Sequence, residues 1–381
     1  MNCLIEPTHY TLFPLASSTV VVREAVTQLF LLNETASLLW QQLSKGVSVT
    51  QISQQWSEQF GITTTQALQD IENALAFWHS EGLLGALPPP FPAFTPLSTA
   101  LTIPLPVLPL QLQYRVGNCV IQIHLNQAQL AHTIDAIFAY LSDKTTQTVD
   151  VVFKVWQQSH TYYLVKDDAV FVEKGTFDNL INHLHYQILQ HAIALSDYLS
   201  VLHAGAVSRN GRCLVLAGCG GAGKSTLTAA LLTRGFQYFC DDLVPLATNT
   251  LQIMVLPVPL TIKEPSWSLL QPYYANLLEL PCYVRNAKKV RYLPPPISQC
   301  PKPQTVSYLL FPRIAQTAQL RRLNAQECLQ ALLAANMALP QTFSSDNIAQ
   351  LLAWVENTPA YEIAYEQLET ALALIEQLCK Q

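Results

Sequence analysis

The stretch GCGGAGKST, residues 218–226, decides the fold of the C-terminal part of this 381-residue chain. Gly218, Gly223, Lys224 and Ser225 stand at the spacing Gly-x-x-x-x-Gly-Lys-Ser, which is typical of a phosphate-binding loop. A strand-like run, RCLVLAG, enters the stretch, and a helix-like run, STLTAALLTRG, leaves it. Strand, glycine-rich loop and helix together point consecutive backbone N–H groups at phosphate oxygens. We therefore predict a nucleotide-binding loop.

The loop motif predicts a role for its side chains and backbone. Lys224 would reach the β- and γ-phosphates, and the hydroxyl of Ser225 would ligate Mg²⁺. The motif therefore predicts binding of phosphate groups together with Mg²⁺. The residues expected to surround the phosphates are Gly218, Gly220, Gly221, Ala222, Gly223, Lys224, Ser225 and Thr226.

Two carboxylates and a histidine flank the loop in sequence. FCDDLVPL, residues 239–246, places Asp241 and Asp242 at the end of a short predicted strand. Neighbouring side chains of a strand point to opposite faces, so one carboxylate can hold Mg²⁺ while the other meets an incoming hydroxyl. His203 lies in VLHAGAVSRNGR, where we predict a hairpin with the histidine on a strand. A purely structural histidine is the alternative at that position.

The order and spacing of LHAGAV, GCGGAGKSTL and RGFQYFCDDLVPL resemble the HPr kinase/phosphorylase superfamily, in particular its HPr-kinase-related members. The resemblance implies a phosphate-loop kinase fold over residues 195–345 that uses ATP and Mg²⁺ to phosphorylate a hydroxyl. It implies that Lys224 and His203 act at the transferred phosphoryl group, that Asp241 accepts the hydroxyl proton, and that Asp242 helps to hold Mg²⁺. The sequence leaves open which of the two carboxylates takes which role.

The chain departs from the regulatory enzyme of that superfamily in two ways. Thr226 follows the loop serine, where the regulatory enzyme has an acidic residue, and its later glycine-rich signature has no evident copy here. We therefore do not expect phosphorolysis or HPr as the acceptor. Phosphoryl transfer calls for a further cation. The basic cluster Lys288, Lys289 and Arg291 is a candidate for it, with a solvated loop as the alternative.

The N-terminal part of the chain predicts a small separate domain. TVVVREAVTQLFLLNE, residues 19–34, alternates as two short strands or a hairpin do. Three helical runs follow at 34–44, 48–60 and 64–82, each with apolar residues on one face. Small strands with three helices predict a winged-helix-like domain. Only Lys45 in these helices could contact phosphates, which argues against nucleic-acid binding.

The run FLLNETASLLWQQLSKGVSVTQISQQW, together with EGLL at 81–84, resembles the PqqD-like peptide-recognition domain found in clusters that modify ribosomally made peptides. The resemblance covers residues 15–86. It implies that the leader of a precursor peptide adds as an extra strand beside the small sheet and the third helix, held by main-chain hydrogen bonds. A plain docking or dimerisation domain is the alternative.

Proline content marks the clearest boundary. Eight prolines between residues 88 and 109 predict an extended connector, since proline fixes φ and removes a donor. We expect an α+β and α/β multidomain protein with four segments. These are a PqqD-like winged-helix domain at 1–87, a proline-rich linker at 88–110, a mixed strand and helix subdomain at 111–195, and an HPr-kinase-like catalytic domain at 196–381.

Composition indicates the cellular setting. No apolar run reaches the roughly 18 residues that cross a bilayer, and we expect neither a signal peptide nor a membrane partner. The nine cysteines are scattered without a Cys-x-x-Cys pair, as expected for free thiols in a reducing cytoplasm. The three histidines of the helical run 177–195 lack carboxylates at metal-ligand spacing, so an amphipathic helix is the favoured interpretation. A homo-oligomer stays possible.

A peptide-binding domain joined to such a kinase predicts a combined function. The first domain captures the leader of a ribosomally made precursor, and the second phosphorylates a Ser or Thr in its core. Tethering raises the effective concentration of a weakly bound acceptor. Two alternatives stay open: a kinase of a small molecule or regulatory protein, and a non-catalytic ATP-binding peptide chaperone. Lys224, Ser225 and the Asp241–Asp242 pair favour an enzyme.

Overall fold

The chain divides into two compact units. A computed structural model describes residues 10–23, 28–84, 97, 104–144, 148–167, 169–296, 301–340 and 343–380. The first unit comprises residues 1–93, 324–330 and 339–357, and the second comprises 94–323, 331–338 and 358–381. The first unit thus includes helical sequence from the segment at 196–381 that we assigned to the catalytic domain. The linker predicted at 88–110 lies outside the described residues except for position 97 and its last seven positions.

The first unit begins with an antiparallel sheet of strand order β1-β2-β3. Its strands are β1 (Tyr10–Leu15), β2 (Ser18–Arg23) and β3 (Gln28–Leu32), and its helices are α1 (Glu34–Ser44), α2 (Val49–Phe60) and α3 (Thr64–Ser80). The predicted pair of strands within 19–34 is confirmed as β2 and β3, and the three predicted helices are confirmed. Strand β1 was not predicted, because YTLFPL carries a proline and no clear alternation.

Local sequence explains where these helices start and stop. The side chain of Asn33 accepts a hydrogen bond from the Ala36 N–H at the start of α1. Ser48 and Gln51 form a capping box at the start of α2, and Gly61, with φ 65°, ends that helix. Trp40 of α1 lies at the centre of the packed apolar faces, 5.5 Å from Trp78 between ring centroids.

The second unit opens with a five-stranded sheet of order β4-β5-β6-β7-β8. Strands β5 and β6 run parallel, and the remaining neighbours in this sheet are antiparallel. The elements are β4 (Leu110–Val116), β5 (Cys119–Leu125), α4 (Ala128–Phe138), β6 (Val151–Gln158), β7 (Thr161–Lys166), β8 (Ala169–Gly175) and α5 (Phe177–Ala194).

The rest of the chain adds two further sheets and five helices among the described residues. The first group of elements is β9 (Tyr198–Leu202), β10 (Ala204–Arg209), β11 (Arg212–Ala217), α6 (Lys224–Thr233), β12 (Gln237–Asp241), β13 (Val244–Ala247), β14 (Gln252–Ile253), β15 (Leu260–Lys263), α7 (Trp267–Leu270), β16 (Tyr283–Arg285) and β17 (Lys288–Leu293). The second group is β18 (Gln304–Ile314), β19 (Gln319–Leu323), α8 (Ala325–Ala334), α9 (Ser345–Asn357), β20 (Ala360–Tyr365) and α10 (Leu368–Leu378).

The larger sheet positions residues 218–226, the predicted phosphate-binding loop, which we call the phosphate loop. Its path is β12-β10-β11-β18-β14-β13-β9, and β20 pairs with both β18 and β19. Strands β11, β18 and β20 are parallel, so their carboxyl ends meet at one edge, where the loop after β11 lies. Helix α6 packs its apolar residues against this sheet. The buried cluster between them includes Val207, Leu214, Leu216, Leu227, Leu231, Leu310, Ile363 and Ile375.

The structure confirms a mixed α+β organisation with several sheets, and the winged-helix character of the first unit stays a prediction. No helix within the described ranges has the length and apolar character that crossing a bilayer requires. The seven cysteines that the structure describes are free thiols, which agrees with the scattered spacing in the sequence.

Candidate functional site

The phosphate loop connects β11 to α6 through backbone that only glycine adopts readily. Gly221 and Gly223 have φ values of 93° and 88°, and Gly223 is the residue that caps α6. A Cβ atom at Gly223 would lie 2.7 Å from the hydroxyl oxygen of Tyr365, which ends β20. Side chains larger than hydrogen are therefore excluded here by both conformation and space.

Lys224 is the first residue of α6 and lies folded over the loop. Its ammonium donates hydrogen bonds to the carbonyl oxygens of Gly218 at 2.7 Å and Cys219 at 3.1 Å. Only 7% of the residue is exposed. Burial lowers the pKa of Lys224, while the charges of Asp241 and Asp242 act in the opposite direction. The cation is thus held at the loop by carbonyl groups that a phosphate could replace.

Asp241, the last residue of β12, is the most unusual group of the site. It is 2% exposed, and neither carboxylate oxygen has a hydrogen-bond partner of normal geometry among the described residues. Burial, followed by repulsion from Asp242, raises the pKa of Asp241 to about 6, although Ser225 and Lys224 act to lower it. A carboxylate poised near neutral pH can accept a proton from an alcohol that approaches it.

Asp242 has a different environment from its neighbour. With a φ of 74°, it leaves the strand in a left-handed turn, so the prediction that both carboxylates belong to the strand is wrong for Asp242. Its Oδ1 lies 3.3 Å from Nε2 of His203, and its Oδ2 lies 3.2 Å from Nη2 of Arg285. Burial alone would raise the pKa of Asp242, but these two partners hold it well below its usual range.

His203 stands between two strands. Strand β9 ends at Leu202 and β10 begins at Ala204, so the prediction that His203 is a strand residue is wrong, because the chain bends there to pass from one strand to the next. Its side chain is 29% exposed and reaches Asp242. The structure therefore brings His203, Lys224, Asp241 and Asp242 to one edge of the sheet, as their sequence order suggested.

Oxygen donors at this edge fit a magnesium ion. Ser225 follows Lys224 in the first turn of α6, and its hydroxyl acts on Asp241. Within the described ranges no group of three His, Cys, Asp or Glu side chains could hold a metal ion by itself. Mg²⁺ is ordinarily held by one or two carboxylates together with phosphate oxygens and water, so the hydroxyl of Ser225 and the carboxylates beside it are donors of the required kind.

Thr226 and Gly205 lie next to the phosphate loop and Asp241 and fix the packing around them. The hydroxyl of Thr226 hydrogen-bonds to that of Ser266 at 2.7 Å, and Thr226 is buried. Gly205 of β10 pairs with Asp241 across the sheet, and a Cβ atom there would lie 2.1 Å from Oγ1 of Thr228. Gly205 thus makes room for the Asp241 carboxylate. We did not identify it from the sequence, because only the strand pairing reveals it.

The predicted basic cluster is divided between different contacts. Lys289 pairs with Glu264 at 3.1 Å, and the guanidinium of Arg291 lies 4.5 Å from the ring centroid of Trp267. Lys288 is exposed at the start of β17. The cation that contacts Asp242 is instead Arg285, which we did not select from the sequence. Its one sequence signal is its position near the cluster, from which it is separated by the turn that the structure shows at Asn286 and Ala287.

Comparison with known proteins identifies the first unit in part. Residues 18–84 match the family model described as coenzyme PQQ synthesis protein D (PqqD), so the predicted PqqD-like domain is confirmed. Comparison with curated proteins gives no significant match.

One solved structure resembles part of the chain. It is described as the Hpr(Ser) kinase/phosphatase from Coxiella burnetii, with 14% sequence identity and a TM-score of 0.24. The match covers 47% of this chain and 92% of the other. At that TM-score the likeness establishes neither a shared fold nor an activity, so catalysis must be judged from the site residues themselves.

Proposed function

We propose that this protein is an ATP-dependent kinase that phosphorylates a Ser or Thr hydroxyl of a ribosomally synthesised precursor peptide. The observation that carries the proposal is Asp241, a buried carboxylate whose oxygens have no hydrogen-bond partner of normal geometry among the described residues, next to the phosphate-loop residues Lys224 and Ser225. A glycine-rich loop alone would support only nucleotide binding. A carboxylate with a pKa raised to about 6 adds a group that can accept a proton.

Each site residue has a role in the proposed transfer. The loop N–H groups and Lys224 would hold the β- and γ-phosphates, and Ser225 with Asp242 would hold Mg²⁺, which supplies charge neutralisation. The acceptor oxygen forms a bond to the γ-phosphorus as the bond from that phosphorus to the ADP oxygen breaks. Asp241 takes the hydroxyl proton. His203, hydrogen-bonded to Asp242, would keep that carboxylate ionised and oriented.

The first unit suggests how the acceptor is recruited. Its PqqD-like match and its small antiparallel sheet support capture of a leader peptide as an added strand. Strand β3 lies at one edge of the described sheet, and β1, at the other edge, is contacted by helix α9 of the same unit. We therefore assign the free edge of β3 to the leader.

Mass spectrometry tests this function directly. The precursor peptide encoded beside the gene would be incubated with the protein, ATP and Mg²⁺, with Lys224→Ala as the inactive control and Lys289→Ala as a matched lysine change away from the loop. We expect a phosphoryl mass gain on a core Ser or Thr that requires Lys224 and not Lys289. ATP binding without any gain would instead favour the peptide chaperone.

A further inference from the structure

Three cations share one end and one face of the small sheet β15-β17-β16. Arg285 pairs with Lys288 across β16 and β17, and Lys263 pairs with Val290 across β15 and β17. Paired residues of antiparallel strands project to the same face, as do residues two apart along one strand. Lys263, Arg285 and Lys288 therefore lie on one face, which we call the basic face.

The basic face carries positive charge that no acidic residue in the described part of the chain fully neutralises. Arg285 is paired with Asp242. Lys263 and Lys288 are exposed, and neither forms an ion pair with any residue that the structure describes. Their neighbour Lys289 projects from the opposite face, where it pairs with Glu264. The two faces of the sheet β15-β17-β16 thus differ: on one, Lys289 is paired with Glu264, and on the other, Lys263 and Lys288 have no ion-pair partner within the described ranges.

The basic face stands beside the phosphate loop. Arg285 contacts Asp242 at 3.2 Å, and Lys263 lies three residues before Ser266, whose hydroxyl hydrogen-bonds to that of Thr226 in the first turn of α6 at 2.7 Å. Like charges placed together in this way cost free energy unless an anion joins them. Repulsion among these cations therefore raises the free energy of the site, and a bound anion would lower it.

Buried hydrogen bonds fix the hairpin that carries Arg285. The side-chain amide of Asn182, on α5, donates to the carbonyl oxygen of Val284 at 2.7 Å. The hydroxyl of Tyr292, on β17, donates to the carbonyl oxygen of that amide at 2.8 Å. Arg285 also reaches Thr261 Oγ1 at 3.5 Å. The basic face is thus presented by an anchored sheet and has a defined position relative to Asp242.

We propose that the basic face is a second anion subsite of the kinase, which binds an oxyanion next to the acceptor hydroxyl. Carboxylate and phosphate oxygens share the required chemistry, because both accept charge-assisted hydrogen bonds from Lys and Arg. The oxyanion comes either from the terminal phosphoryl group of the nucleotide or from an acidic side chain that flanks the acceptor residue. The acceptor source rests on the proposed function, whereas the nucleotide source requires only nucleotide binding.

The first arm of the test measures nucleotide affinity. Lys263→Gln, Lys288→Gln and the double variant are compared with Lys289→Gln, which removes an equal charge from the opposite face. Fluorescent analogues of ATP and ADP are titrated with Mg²⁺ at low and high salt. If the terminal phosphoryl group is the source, the double variant loses about fivefold in ATP affinity and much less in ADP affinity, and the loss shrinks at high salt.

The second arm measures acceptor preference. Two synthetic peptides carry one Ser flanked either by Glu or by Gln, and KM is measured for each with the same four variants. If the acceptor is the source, wild type prefers the Glu peptide, and the double variant raises its KM about fivefold while ATP affinity stays unchanged.

The outcomes separate the two proposals. A double variant that behaves like Lys289→Gln in both arms overturns the basic-face subsite, even if the kinase is active. If wild type binds nucleotide but phosphorylates neither these peptides nor the precursor, the proposed function fails. The first arm then decides the subsite alone. All three positions are exposed lysines, so loss of folding should not confuse the result.

Discussion

The two units of the chain differ in how completely their buried polar groups are hydrogen-bonded. In the first unit, the three helices α1–α3 begin at side-chain caps, and the indole N–H of Trp56 donates to Gln42 Oε1 at 3.1 Å. Ser18 Oγ is the exception among its described residues. In the second unit, both oxygens of Asp241 and the hydroxyl of Thr228 lack a partner of normal geometry among the described residues. The same holds for five atoms of other residues, Trp156 Nε1, Ser200 Oγ, Tyr283 Oη, Arg291 Nε and Gln304 Oε1.

This difference agrees with the proposed function, in which the first unit binds a peptide and the second carries out phosphoryl transfer. A buried polar group without a partner costs about 1–3 kcal/mol, so unpaired atoms are rarely kept without a use. The position of the Asp241 oxygens beside Lys224 and Ser225 agrees with a trade of stability for function. The comparison would fail if Asp241 and Thr228 could be replaced without any loss of phosphoryl transfer.

The largest effect is expected from Asp241→Asn. Loss of the proton acceptor should lower the transfer rate by about 10²–10⁴-fold. The same change should raise stability at pH 8 by up to about 3 kcal/mol, since the native pKa of Asp241 is raised from 3.8 to about 6 and its ionised form is disfavoured in the fold. The stabilisation is full above pH 6 and shrinks as the pH falls toward 4. Denaturant melts at several pH values, with rate assays, measure both effects.

Asp242→Asn provides the control of opposite sign. The His203 and Arg285 partners lower the native pKa of Asp242 below its ordinary 3.8, so the ionised carboxylate stabilises the fold. That stability is present above pH 4 and is lost as the pH falls further. Asp242→Asn should therefore destabilise the protein at pH 8. Equal responses of the two variants to pH would contradict the distinction between the carboxylates.

Gly205→Ala should have the next largest effect on stability. The new methyl group would lie 2.1 Å from Thr228 Oγ1 and 3.1 Å from Asp241 Oδ1, and overpacking of this kind costs about 1–3 kcal/mol. We expect a lower midpoint in urea together with a slower transfer rate, because Asp241 is displaced. Adding Thr228→Ala removes the closest clash and should restore part of both. An unchanged midpoint would show that Gly205 does not pack against the side chains of Thr228 and Asp241 as described.

The smallest effect is expected in the first unit. Ser48→Ala removes the hydroxyl that caps α2 and should cost about 1 kcal/mol, with Thr50→Ala, an exposed position two residues further along, as the neutral control. Because Ser48 belongs to the first unit and the phosphate loop to the second, transfer to a leaderless core peptide should not change. A slower reaction on that peptide would show that the two units are not separable in function.

Local sequence predicted the helices, and the strand, glycine-rich loop and helix around residues 218–226, because their signals are short-range. Caps, glycines and apolar periodicity lie within a few residues of the elements that they specify, as Ser48 and Gly61 show for α2. Arg285 and Gly205 could not be found in this way, since their importance comes from strand pairings and contacts with residues far along the chain. The turn at Asp242, with its positive φ, was missed because DD within an apolar run reads as a continuing strand.

The most direct test of the account compares transfer to the full precursor with transfer to its core peptide alone. The initial rates would be measured over a range of peptide concentrations, with wild type and Lys224→Ala in parallel. We predict that the full precursor is phosphorylated at concentrations about 10²-fold below those that the core requires, and that both activities need Lys224. Equal concentration dependence for the two peptides, or transfer that survives Lys224→Ala, would contradict it.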